Sequence, residues 1–130
     1  MKALSIVRKI LLISDAVTEK RAGEIWVNAA DQNDPLPNVQ MILVSGLEDF
    51  THSGPSGLIE DRVRIWCRGK TDRQAAELGA AVHGALQGYV GVVDDANVQL
   101  IRRVMTVSDY QDGAKVHRCI IDVEVHWNAR

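Results

Sequence analysis

Four histidines, two cysteines, a serine flanked by glycine and proline, and the stretch RGKTD are the residues whose types and spacing could carry chemistry. RGKTD, residues 68–72, lies where a phosphate-binding loop would end, between an apolar strand and a helix. A full loop needs a glycine five positions before Gly69, so that consecutive backbone N–H groups cradle phosphate; that position is Arg64, inside the strand. Thr71 therefore reads as a helix cap. Ser56, in GPSGL, invites comparison with a nucleophile held on a sharp turn, but that motif wants glycine two residues to each side, and Leu58 holds the second place. His52, His83, His117 and His126 come with no acid and nucleophile in a recognisable arrangement. His117 and Cys119, two apart on a strand, point to one face about 7 Å apart, and a shared metal would need further ligands from elsewhere. A strand-end histidine and a core thiol are the plainer reading. No catalytic, cofactor or metal site is expected.

A cationic cluster remains. Arg62, Arg64, Arg68, Lys70 and Arg73 surround Trp66, and Arg102 and Arg103 add a second pair. Three readings compete: a solvated sheet face with its arginines paired to Asp61, Asp72 and Glu124, a nucleic-acid surface, or an intersubunit surface. Arg and Trp are residues that anchor interfaces.

These residues need elements to position them. Leu4, Val7 and Leu11, with Ile6 and Ile10 beside them, recur at helical spacing and predict an amphipathic helix over residues 2–13. Ser14 and Asp15 can begin a new turn. Residues 24–28 (EIWVN) read as a short strand, and DQNDPLPN, with two prolines, as a loop. VQMILVSG, 39–46, is almost continuously apolar, as expected of a strand covered on both faces. In 62–68, Val63, Ile65 and Cys67 alternate with Arg62, Arg64, Trp66 and Arg68, which predicts a strand with a core face and a cationic face. Thr71 and Gln74 form a capping box for a helix over about 72–86, which should bury Ala75, Leu78, Val82 and Leu86 while Gly79, Ala81 and Ala85 permit close approach to a sheet. Residues 97–108, the turn YQDG and residues 115–128 predict two long strands, the second with Cys119, Ile121, Val123, Val125 and Trp127 inward. The fold expected is α+β: one mixed or antiparallel sheet with a long protruding β-hairpin, packed against two helices.

The hairpin comes from DFTHSGPSGL, residues 49–58. Pro55 suits the second place of a type I turn and Gly57 the fourth, so Gly54, Pro55, Ser56 and Gly57 read as the tip. The arm from Gly46 to Ile59 exceeds a minimal turn and carries Phe50 and Leu58 beyond the apolar strand cores. Apolar residues on a protruding arm call for a cover, and a neighbouring copy of the chain is the simplest one.

At 130 residues, 46% apolar and 25% charged, the chain fits one domain with its own core. Fifteen Lys and Arg against 17 Asp and Glu leave a net charge of −2, which excludes an overall basic field drawing the chain to nucleic acid or anionic lipid. No stretch approaches the about 20 apolar residues of a membrane span. Arg8 and Lys9 split the apolar run of MKALSIVRKILLIS and no small-residue cleavage pattern follows, so the segment reads as a helix and not a leader. Two cysteines without metal-type spacing favour reduced thiols in a cytoplasmic setting.

An apolar strand, an acidic and aromatic connector, GPSGL, the strand VRIWCRG and the helix TDRQAAELGAAVHGAL, with IIDVEVHW near the end, together resemble the tail-completion or tail-terminator family of long-tailed phages, prophages and gene transfer agents. The likeness runs through nearly the whole chain in order. It implies a non-catalytic virion protein that assembles as a ring, usually of six subunits, at the head-proximal end of the tail tube. There such proteins stop tube growth and present a docking surface to the head connector or stopper. Implied partners are other copies of the chain, the tube protein and the connector, with possible contact to passing DNA and none to membrane. Assembly would take place in the bacterial cytoplasm. Matching positions are Gly54, Pro55, Ser56 and Gly57, then Trp66 and Arg68; Phe50, Leu58, Arg62 and Arg64 complete the candidate interface. The alternative is a protein- or nucleic-acid-binding accessory domain without catalysis.

Overall fold

The computed structural model describes residues 2–51 and 54–129, and for 45–51 and 54–56 the backbone alone. Helix α1 (Lys2–Ile13) is followed by α2 (Asp15–Lys20), β1 (Ile25–Val27), β2 (Asn38–Thr51), β3 (Gly54–Gly69), α3 (Asp72–Leu86), β4 (Gly91–Val93), β5 (Ala96–Gln111) and β6 (Val116–Ala129). The strands form one six-stranded sheet in the order β1-β2-β3-β6-β5-β4. Only β1 and β2 run parallel; every other pairing is antiparallel, so the sheet is mixed and the fold α+β.

The core lies between the helices and one sheet face. Leu4, Val7 and Leu11 of α1, Val17 of α2, and Leu78, Val82 and Leu86 of α3 are buried with Val39, Met41, Val63, Ile65, Cys67, Ile121, Val123 and Val125. The period of two in β3 and β6 dictates this: every second side chain reaches the helices, and the residues between them face outward. α3 starts where Thr71 Oγ1 accepts from the Gln74 N–H at 3.1 Å. The return bond of the expected capping box goes one residue further back, from Lys70 N–H to Gln74 Oε1 at 2.9 Å. α3 comes so close to β6 at Gly79 that a Cβ there would lie 2.6 Å from Cys119 Sγ.

The structure departs from expectation in five places. A third helix, α2, forms because Ser14 caps it, its side chain accepting from Val17 N–H. The apolar run of β2 is covered on one face only: Val39 and Met41 are buried, whereas Val44, the extra residue of a bulge opposite Val63 and Arg62, is 41% exposed. GPSG is not a turn tip. Thr51 already pairs with Gly54, and 54–57 belong to β3. Between the pairs Glu48↔Ile59 and Phe50↔Pro55, three residues of β3 face one of β2, and Gly57, at φ 82°, sits within this bulge. The second glycine thus serves a bulge that needs positive φ. The last hairpin turns at 112–115, with Lys115 at φ 55°, two residues later than YQDG placed it. β4 is a short extra strand, joined to β5 through Asp94 at φ 54°. Asp94 and Asp95 pair with Lys9 and Lys2 of α1, tying that hairpin to the first helix.

Candidate functional site

Outward residues of β3, β6 and β5 form a ladder of charges. Arg62 donates to Asp122 Oδ2 from Nε at 2.9 Å and Nη2 at 2.7 Å, and Arg64 donates to both oxygens of the same carboxylate at 2.8 and 3.0 Å. Asp122 is fully buried beneath them. Burial alone would raise its pKa, but the hydrogen bonds and charges of Arg64 and Arg62 outweigh it, and the carboxyl titrates below the ordinary aspartate value. Arg102 pairs with Glu124, and Arg118 with Asp109 through two hydrogen bonds of 2.8 and 2.6 Å. Arg62 and Arg64 are thus consumed within the sheet, by a partner other than the three acids expected. Asp61 instead accepts from Trp127 Nε1 at 3.0 Å. The signal for Asp122 was present as one aspartate in the apolar run IIDVEV, but its partners lie about 60 residues earlier and depend on register.

Trp66 is half-buried on this outer face, between Gln40 and Ile120 in register. Arg68 lies two residues beyond, donating from Nη1 to Asn38 Oδ1 at 3.3 Å. Of the other interface candidates, Gly57 is exposed and Leu58 half-buried. The side chains of Phe50, Pro55 and Ser56, and the whole of His52, lie outside the described residues; Gly54 is placed by its backbone in β3. His83 and His117 do not meet: His83 lines a groove beside α3, and the ring of His117 lies 4.6 Å from that of Tyr110. Cys67 and Cys119 are register partners and free thiols. Burial pushes both up in pKa, that of Cys67 furthest. Among the described residues no group of three or more metal-ligating side chains converges, and no helix is long and apolar enough to cross a membrane.

The backbone offers a second kind of surface. β4 covers β5 only from Ala96 to Val98. Gly88 and Tyr89 then bond Ile101, and Gln87 Oε1 accepts from Arg103 N–H. From Val104 to Gln111 no strand among the described residues covers the outer edge of β5, and Val104, Val107 and Tyr110 are exposed there by 39%, 44% and 47%. An uncovered apolar strand edge is a template for another strand. On the far side of the sheet, β1 covers β2 only from Val39 to Met41, so no strand of the described chain covers β2 beyond. A groove of about 350 Å³ between α3 and the β5 edge is lined by Ala76, Ala80, His83, Thr106, Ser108 and Cys119 among others.

No protein-family model matches the chain, and no curated protein matches it in sequence. Among solved structures it is similar in fold to a chain of the virion of a native gene transfer agent particle, with a TM-score of 0.73 and 14% identity, over 97% of this chain and 94% of that one.

Proposed function

We propose that this protein is a structural component of a phage-like particle, forming a ring at the head-proximal end of a tail tube, where it ends tube growth and joins the tail to a head connector. The fold likeness to a chain of a gene transfer agent virion and the family resemblance of the sequence support the particle. The observation that carries the ring is the pair of uncovered edges on opposite sides of one sheet. Such edges are complementary surfaces, as a heterologous contact between identical copies requires.

Their geometry favours closure. β2, β3, β6 and β5 alternate in direction, so a β2 from the next copy would meet β5 antiparallel. Val107 shares a row with Ile120, Trp66 and Gln40, whereas Leu47, near the middle of the free β2 edge, lies opposite Glu60, six β3 residues from Trp66. Joining the edges therefore staggers copies by about six residues, roughly 20 Å along the strands for roughly 19 Å across four of them. That corresponds to a strand tilt near 45°, at the upper end of the range of closed barrels. Neighbouring side chains would then fill the groove beside α3, and the arm 48–59, with Phe50, Gly54, Pro55, Ser56, Gly57 and Leu58, would lie on the adjacent subunit.

The test is light-scattering molar mass over a concentration series, with and without tail tubes, and negative-stain images. The expected species is a ring of about six times the 14.3 kDa chain, free or captured at one tube end. Inward-facing residues of β5 turn their N–H groups to the outer edge, as Arg103 does, and Ser108 shares that face. Ser108→Pro should thus remove an edge donor, leave the fold intact and abolish rings. Rings that survive it would refute the edge contact; a monomer that no tube captures would refute the terminator reading.

A further inference from the structure

One arginine of the outer face has no ion-pair partner among the described residues. Arg62, Arg64, Arg102 and Arg118 each pair with an acid, but among the described residues Arg68 forms no ion pair. Lys70, exposed, forms none either. Both line a cleft of about 630 Å³ at the end of the sheet, between the loop before β2 and the β5–β6 turn. Pro35, Leu36 and Val116 give it apolar walls.

The cleft is built. Asp34 Oδ2 accepts from the Glu24 N–H at 2.9 Å, Trp26 Nε1 at 2.9 Å and Asn38 Nδ2 at 3.0 Å, which pins the loop to β1 and β2. Buried Asn38 in turn holds Arg68 through Oδ1. The guanidinium is thus oriented by a single neutral contact, leaving donors of its planar fork for something outside the fold. Asp34 stands nearby and attracts Arg68 without an ion-pair contact, and the three neutral donors on its Oδ2 leave its charge in place, so the wall carries two cations against one anion.

We propose that this cleft binds an acidic, partly apolar peptide segment of a protein partner, one carboxylate being received by Arg68 and Lys70 while a neighbouring apolar side chain rests on Pro35, Leu36 and Val116. The same observations disfavour DNA. A duplex is gripped by many cations along a continuous surface, whereas the arginines further along this face are paired with Asp122, Glu124 and Asp109. A guanidinium fork matches one carboxylate with two parallel bonds.

The experiment is a heteronuclear NMR titration of the full chain with the capped peptide acetyl-Leu-Asp-Leu-amide, its Asn twin and a short DNA duplex. The acidic peptide should give saturable shifts at the Arg68 Nε–H and the Lys70 and Val116 amides. The Asn twin should bind about tenfold more weakly, as should the acidic peptide to Arg68→Gln and to Lys70→Gln. Lys70→Gln alters an exposed side chain, so its result does not hinge on folding. Equal binding of the Asn twin, no saturation by about 10 mM peptide, or tighter binding of the duplex at the same signals would each overturn the proposal.

Discussion

Asp122→Asn is the most informative single change to the sheet. It removes the charge that two arginines share and leaves their guanidiniums facing each other beside a buried amide. Breaking a buried ion pair by deleting one partner costs about 3–5 kcal/mol. Here the arginine side chains are 35% and 33% exposed while Asp122 is fully buried, so water screens part of the loss and about 2–3 kcal/mol is expected. For a domain of this size that lowers the melting temperature by roughly 10 °C. Thermal unfolding followed by circular dichroism at neutral pH measures it. The triple change Arg62→Gln, Arg64→Gln, Asp122→Asn should recover much of the loss, because it removes the charges together and strands none. The acid limb gives a second readout. The folded carboxyl lies below its unfolded value, so its stabilisation is full above about pH 4 and is lost as pH falls through the folded pKa. Asp122→Asn should flatten that part of the stability curve. A variant within about 0.5 kcal/mol of wild type at neutral pH, or with an unchanged acid slope, would refute the network as described.

Gly79→Ala should destabilise the chain by about 1–3 kcal/mol in denaturant unfolding, since its Cβ would meet Cys119 Sγ at 2.6 Å, and a second change of Cys119→Ala should restore part of the loss. Thr71→Ala should cost about 1 kcal/mol in the same assay through the lost cap on the Gln74 N–H. With a thiol-specific reagent near pH 8, Cys119, which lines the groove, should react well before Cys67, which is wholly buried and whose thiol burial pushes up; mass-spectrometric mapping that finds Cys67 labelled first would contradict the placement.

What was legible in the sequence is what short-range periodicity determines. The bounds of α1 and α3, the inward faces of β3 and β6 and the N-cap at Thr71 follow from spacings of two, three and four residues. The misplaced bulge and turns have a shared cause: Gly57, Asp94 and Lys115 all sit at positive φ, which glycine and, more weakly, aspartate announce and lysine does not. GPSG is as good a type I turn as it is a bulge followed by strand, and local residue preferences do not separate the two. Proline and glycine therefore read as a tip although they belong to a strand.

The arginine face shows why the candidate site was only half readable. Alternation puts Arg62, Arg64, Arg68 and Trp66 outward whatever their partners, and so identifies a face without a role. Which arginines are spent depends on β6 lying beside β3 with Arg64 opposite Asp122, a pairing of residues about 60 positions apart that no local pattern encodes. That register divides the cations. Two share a buried carboxylate and serve stability, and Arg68, four residues beyond Arg64, is left with an amide. The same long-range pairing leaves β5 and β2 uncovered where β4 and β1 stop. A sheet whose outer face is largely charge-satisfied has little to offer a partner through that face. Among the described residues it leaves backbone groups at two edges and one oriented guanidinium at one end, and they sit in different places. Copies of the chain and a different partner would then occupy separate sites, as the proposed ring requires.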